Sequence, residues 1–127
     1  MSAQLDVRIS GQRPFHDLLM SLPKVSLKDG ALDFVRTPKD VLREVAQHAE
    51  AAMCTAHNGI AAVSTLLALC AADAEDGTFG ANALENIGWL TAELADVAAI
   101  CAHLAACSRK ELTEPFSHRP SRKRETS

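Results

Sequence analysis

An apolar pattern with steps of three and four residues runs from Thr37 to about Cys107 and is interrupted near residue 76. In its first part, three rows of apolar residues hold the a, d and e positions of a heptad. The rows are Leu42, Ala49, Ala56, Val63, Cys70; Val45, Ala52, Gly59, Leu66; and Ala46, Met53, Ile60, Leu67. Strand-like alternation is absent here, so the pattern predicts an amphipathic α-helix.

The first helix has a predicted start and end. Thr37 fits the N-cap, Pro38 the first helical position, and Asp40 the position of a capping-box acid. The helix is expected to end near Ala72, because segment 73–77 is polar and closes on an Asp-Gly pair, which is a turn signal.

A second helix follows this turn. Its N-cap is either Thr78 or Asn82, and Glu85, three residues after Asn82, favours the latter. The residues predicted to be buried are again three and four apart: Ile87, Leu90, Leu94, Val97, Cys101 and Leu104. The pattern ends at Cys107 and Ser108. A short connection makes two long helices antiparallel neighbours, so residues 37–108 are predicted to form a mainly α, antiparallel two-helix hairpin.

Residues 1–36 are predicted to form an N-terminal arm and a small cap. Apolar and polar residues alternate in segment 1–12, which indicates a short strand or an extended arm. We expect a short helix over 14–22, ended by Pro23, and then either a second extended piece or a hairpin around Asp29-Gly30. The cap should lay four apolar side chains on the helix pair: Phe15, Leu18, Leu22 and Phe34.

Residues 109–127 are predicted to be a basic, disordered tail. Pro115 and Pro120 break any helix, and Phe116 is the only large apolar residue beyond residue 112. The chain has 127 residues, which suits one domain. We therefore divide it into the cap 1–36, the hairpin 37–108 and the tail 109–127.

The hairpin is rich in alanine, with twenty alanines between Ala46 and Ala106, so its core is thin. Helix two also carries a row of residues outside its predicted buried seam: Trp89, Glu93, Asp96, Ile100, His103 and Cys107. Its tryptophan and isoleucine are large apolar groups that the seam does not need. We predict a homodimer with a four-helix core, with Trp89, Glu93, Asp96, Ile100 and His103 at its interface. The alternative is that the N-terminal segment covers this row within one chain.

Charge is distributed unevenly along the chain. Residues 44–108 contain no lysine or arginine and eight acids: Glu44, Glu50, Asp73, Glu75, Asp76, Glu85, Glu93 and Asp96. The pattern is typical of a surface that meets a basic partner protein, and it disfavours nucleic-acid binding except weakly through the tail. The alternative is an ordinary solvated helix surface whose basic partner residues lie elsewhere in the chain.

The sequence contains no pattern that predicts catalysis, a cofactor or a metal site. Four cysteines, Cys54, Cys70, Cys101 and Cys107, lie on the predicted helices without a Cys-x-x-Cys pair, as expected of reduced thiols in a helical core. Cys54 with His57, and His103 with Cys107, have metal-ligand spacing, but the predicted pairing of the helices keeps the two pairs apart. Five histidines show no arrangement of nucleophile, base and orienting group. We predict that the protein is not an enzyme.

The segment preceding the helices shows no signal peptide, because Asp6 and Arg8 stand where an apolar run is required. In helix one the strongly apolar part spans only residues 60–72, short of the ~20 residues of a membrane span. We expect a cytoplasmic protein; a membrane hairpin is the alternative.

The run from Ala31 to Leu42, Ala-Leu-Asp-Phe-Val-Arg-Thr-Pro-Lys-Asp-Val-Leu, precedes an alanine-rich helix, a short loop and a second helix with Trp89-Leu90 near its start. This arrangement over residues 31–107 resembles small helical proteins of proteobacteria that have a Phe-x-Val-Arg-like segment before a helical pair and belong to families of unknown function. The resemblance implies a helix-pair fold and no activity, and it carries over no site residues. The lysine expected on the second helix of such proteins is missing here.

These observations favour a small regulatory interaction protein that occludes a partner with its acidic helical face. In architecture it is similar to the small helical anti-activators of bacterial transcription regulators. Two alternatives remain: a structural or accessory subunit of a larger, phage- or plasmid-encoded assembly, and a thiol or metal sensor using Cys54, His57, His103 and Cys107.

Overall fold

The computed structural model describes residues 13–113, and two long helices dominate it. Helix α1 spans Pro14–Ser21 and is followed by a 3₁₀ turn, Leu22–Lys24. Strands β1 (Leu27–Lys28) and β2 (Ala31–Leu32) lead to α2 (Lys39–Leu69), short α3 (Ala71–Glu75) and α4 (Ala81–Thr113). Helices α2 and α4 pack against each other, which confirms the mainly α, antiparallel hairpin. The predicted arm 1–12 lies outside the described residues.

The cap, residues 13–36, covers one end of the hairpin. Helix α1 packs on α2, and Leu18 and Val25 are buried in the core cluster. Phe15, Leu22 and Phe34 pack against that cluster, as the sequence predicts. Strands β1 and β2 are antiparallel, and both residues of their turn have positive φ, 52° at Asp29 and 79° at Gly30. That geometry matches a two-residue hairpin turn, for which Asp-Gly is a preferred pair.

The start of α2 differs from the prediction by one residue. Pro38 occupies the N-cap position, and its carbonyl accepts the first helical hydrogen bond, from the Leu42 amide. Thr37 does not cap the helix, because its buried hydroxyl donates to the Asp33 carbonyl (2.7 Å) and accepts from the Ser26 amide (3.1 Å). Through these two hydrogen bonds, Thr37 links the residues on either side of the β-hairpin to the start of the helix.

The turn between the long helices is built on Gly77. Helix α2 ends at Leu69 rather than near Ala72, and α3 continues the chain to Glu75. Gly77 has φ of 83°, its amide donates to the Ala74 carbonyl, and the Thr78 amide donates to the Asp73 carbonyl. These two bonds form a Schellman motif, which ends a helix on a left-handed glycine.

Helix α4 begins and ends at other residues than predicted. Neither Thr78 nor Asn82 is its cap: Thr78 bonds to Asp76 within the turn, and the Gly80 carbonyl accepts from the Ala83 and Leu84 amides. The helix continues through Arg109 to Thr113, so residues 109–113 belong to the hairpin and not to a disordered tail. The rest of the predicted tail lies outside the described residues.

The core occupies the half of the hairpin next to the cap. Its fully buried members on α2 are Val45, Ala46, Ala49 and Ala52, and on α4 Cys101 is 2% exposed. Toward the turn the predicted seam is open, because Leu66 is 60% and Leu90 55% exposed. The expectation that both residues are buried along the seam is therefore wrong. Two helices alone cannot enclose them where the cap no longer adds a third layer.

Candidate interaction surface

A continuous row of side chains runs along α4, and all of its members except the half-buried Cys107 are exposed to solvent. The row consists of Trp89, Glu93, Asp96, Ile100, His103 and Cys107, and we call it the α4 row. Trp89 is 66% and Ile100 59% exposed, while Glu93, Asp96 and His103 are also exposed. The structure thus leaves all five residues assigned to the predicted interface accessible. Exposed apolar side chains bordered by polar ones are typical of an interaction surface when they form a contiguous patch.

The near end of the α4 row lies beside the cap. Cys107 lines an open cleft of about 580 Å³ together with Lys28, Leu32, Phe34 and Arg36. The cleft lies between the β-hairpin segment and the last turns of α4. Sequence reasoning did not find it, because its walls are about 75 residues apart in the chain and nothing local joins them.

A second row of residues lies along one face of α2 and also runs from the cap toward the turn. Val45, Ala52, Gly59 and Leu66 are seven residues apart and therefore lie on one side of the helix. Val45 and Ala52 belong to the buried cluster that includes Leu18 of α1, whereas Leu66 is largely exposed. Cap residues adjoin the near end of each row: Leu18 packs in one cluster with Val45, and the β-hairpin segment lines the cleft together with Cys107. Farther from the cap, both rows expose large apolar side chains, and we call residues 59–100 the distal half.

The turn end of the distal half combines apolar and acidic side chains. Leu69 is 77%, Phe79 38% and Leu84 37% exposed. Four exposed acids lie around them: Asp73, Glu75, Asp76 and Glu85. Asp76 accepts hydrogen bonds from the side chain and amide of Thr78, and these bonds lower the pKa of its carboxyl.

The acids nearer the cap have basic partners. Lys24 donates to Glu44 over 2.9 Å, and Arg109 donates to both carboxylate oxygens of Glu50 over 2.9 Å each. The hydrogen bond from Lys24 lowers the pKa of Glu44, and the bond from Arg109 lowers that of Glu50. For these two acids, the alternative expectation from the sequence holds, because their basic partner residues lie outside residues 44–108. Within residues 13–113, none of the acids of the distal half forms an ion pair with a lysine or arginine.

The cysteines and histidines that have metal-ligand spacing remain in separate pairs. Cys54 and His57 are exposed on α2, and on α4 the Nε2 atom of His103 lies 3.6 Å from the Sγ atom of Cys107. Over residues 13–113, no three His, Cys, Asp or Glu side chains come close enough together to hold a metal ion. Cys101 is buried, and burial raises the pKa of its thiol.

Both α2 and α4 are long and apolar enough, by length and composition alone, to cross a membrane. The expectation from the sequence compared only the strongly apolar part of helix one, residues 60–72, with the length of a membrane span. Helices of soluble proteins also meet this criterion, so it leaves the membrane hairpin as an alternative.

Comparison of the chain with protein-family models, curated proteins and solved structures gave no match. The resemblance to small proteobacterial helical proteins therefore stays a prediction.

Proposed function

We propose that this protein is a non-enzymatic, cytoplasmic interaction module, a regulatory binder that occludes a partner protein with the acidic, apolar distal half of its hairpin. The observation that carries the proposal is the contrast between the two ends. Glu44 and Glu50 have basic partners, whereas the acids of the distal half stand among exposed apolar side chains with no lysine or arginine partner in residues 13–113. A surface of this kind suits a partner that presents apolar and basic side chains together.

The charge of the surface argues against a membrane hairpin. Glu93 and Asp96 lie in the middle of α4 and are exposed. A charged residue at the centre of a spanning helix costs about 2.5–3.5 kcal/mol, and α4 carries both on its outer face. In a protein–protein interface, by contrast, these carboxylates would lie at the polar rim, where they stay in contact with water. Membrane flotation of the expressed protein tests this: recovery in the soluble fraction is expected.

Capture of partner proteins from cells of the source organism tests the function. One bait is the wild type, and the second carries Glu75→Lys, Asp76→Lys and Glu85→Lys at the turn end. A matched control carries Asp17→Lys, Asp40→Lys and Glu111→Lys, which change the net charge equally at the other end. We expect a salt-sensitive partner on the wild type and the control, and its loss from the turn-end variant. Identical proteins on all three baits would contradict the proposal.

A structural or accessory subunit would use the same surface for a permanent contact. Such a subunit should co-purify with its assembly at fixed stoichiometry, and the complex should not dissociate on dilution. A regulatory binder should dissociate from its partner and rebind within minutes. Surface plasmon resonance with the captured partner separates the two.

A thiol sensor is a second candidate, supported by the contact between His103 and Cys107 at the edge of the cleft. A neighbouring imidazole activates a thiol when it accepts the proton. If Cys107 is reactive, iodoacetamide should label it faster than the exposed Cys54, and His103→Ala should remove the difference. Equal labelling rates in the wild type would dismiss this candidate.

A further inference from the structure

We infer that the distal half, together with the α4 row as far as Cys107, docks against the same surface of a second copy of this chain, antiparallel and with twofold symmetry. The inference rests on the proposed function, because it names an occupant of the same surface. Self-association and the binding of another protein then compete for the distal half.

The α4 row is complementary to itself when one copy is reversed. Its members follow one another in steps of four, three, four, three and four residues, which read the same in both directions. A twofold axis midway between Asp96 and Ile100 brings Trp89 level with Cys107 of the second copy, and Glu93 level with His103. Sulfur–aromatic contacts are favourable, and an imidazole N–H can donate to a carboxylate.

The second row supplies the other half of the contact. Leu66 is 60% exposed, and apart from the backbone of the same helix no atom lies within 4 Å of the position of a Cβ at Gly59. Another helix can therefore approach the backbone closely at this point. Two such faces together give a four-helix arrangement that encloses Leu66, Trp89 and Ile100.

Charges at the two ends of the molecule complement each other in this arrangement. The axis between Asp96 and Ile100 brings Glu85, about one helical turn beyond Trp89, level with the cleft of the second copy. Three bases line that cleft together with two acids: Lys28, Arg36 and Lys110, with Asp33 and Glu111. Symmetry repeats the contact, so Glu85 of each copy lies beside a cleft with an excess of bases. A parallel dimer would place like charges together.

The cap limits how far the two copies overlap. It adjoins both rows at their near ends, so the contact is restricted to α2 from Gly59 onward and to α4 as far as Cys107. The α4 row is about 27 Å long and the helix pair about 20 Å wide, which gives a projected area of roughly 500 Å². Accessible area exceeds its projection, so this face approaches the ~800 Å² per partner of a standard interface.

The mass in solution tests the inference first. Light scattering of the full chain at 100 µM should give twice 13.6 kDa. Trp89 is the only tryptophan, so its fluorescence reports on this row alone. We expect its emission to shift to the blue and its quenching by acrylamide to fall as the concentration rises from 1 to 100 µM.

Charge exchange across the axis tests the register. Glu93→Lys and His103→Glu should each weaken the dimer at least tenfold, because the first removes the acceptor of the imidazole N–H and the second places two carboxylates level with each other. The double variant should restore it, since the two exchanged side chains then face each other with opposite charges. Asp96→Ala should strengthen the dimer by removing the acid nearest the axis. Ala95→Lys with Ala102→Glu, on an exposed face of α4 away from the row, is the matched control and should change nothing.

A mass of 13.6 kDa at 100 µM would overturn the inference. If Trp89 is then shielded from acrylamide, other residues of the same chain cover the row; if it is quenched freely, the row is open. A dimer indifferent to both single changes would place the interface elsewhere. A monomer whose partner capture still depends on the turn-end acids would refute self-association and leave the proposed function standing.

Discussion

Two buried serines differ in whether their hydroxyl has a hydrogen-bond partner. Ser21 is 1% exposed and donates to the Asp17 carbonyl over 2.8 Å, whereas the buried hydroxyl of Ser108 has no partner within the described residues. An unpaired buried polar group costs about 1–3 kcal/mol, so Ser108→Ala should raise the free energy of unfolding by roughly 1 kcal/mol. Ser21→Ala is the control and should lower it. Urea unfolding measures both, and equal destabilisation would show that Ser108 has a partner.

The pair formed by Glu50 and Arg109 links stability to pH. The pKa of Glu50 is lowered by the hydrogen bond from Arg109, so the stabilisation is present above the unfolded value of 4.5 and is lost as the pH falls through the folded pKa. The side chains are 44% and 50% exposed, which limits the contribution to less than about 1 kcal/mol. Glu50→Gln should therefore be slightly less stable than the wild type at pH 7 and equal to it near pH 2. A constant difference at all pH values would mean that the ion pair contributes nothing.

At the scale of an element, two glycines have opposite roles. Gly88 lies inside α4, and a Cβ there would meet nothing within 4 Å, whereas Gly77 ends the preceding helix with φ of 83°. Gly88→Ala should stabilise the protein by about 0.5–1 kcal/mol, because alanine loses less backbone entropy in a helix. Gly77→Ala should destabilise it by about 1–2 kcal/mol, because a Cβ is strained in the left-handed region. Thermal unfolding measures both changes in stability. If the two variants changed stability in the same direction, the turn geometry would be contradicted.

At the scale of the whole molecule, the contact of Arg109 with Glu50 extends the packed part of the hairpin beyond Cys107. Truncation after Thr113 keeps every contact described above, so the melting temperature should change by less than about 4 °C, the effect of 1 kcal/mol. Truncation after Cys107 removes Ser108 and the partner of Glu50, and it should lower the melting temperature clearly. Circular dichroism distinguishes the two. A large drop in melting temperature after the first truncation would show that the tail docks on the hairpin.

Local patterns were sufficient for several features. The helical period, Pro14 and Pro23 around α1, and the glycines of the two turns specify elements from neighbouring residues alone. For the same reason the hairpin, the cap residues Leu18 and Phe34 and the row of Trp89 and Ile100 could be predicted from the sequence. An outward position on a helix follows from its period.

Only the tertiary structure decided which parts of those patterns are buried. Leu66 and Leu90 continue the same repeat as Val45 and Cys101, yet they are exposed, because burial depends on the cap, which covers one half of the hairpin. Arg109 was assigned to the tail, but it meets Glu50, 59 residues earlier in the chain. Periodicity defines a face of a helix, whereas neighbours that are distant in sequence decide how much of that face is removed from water.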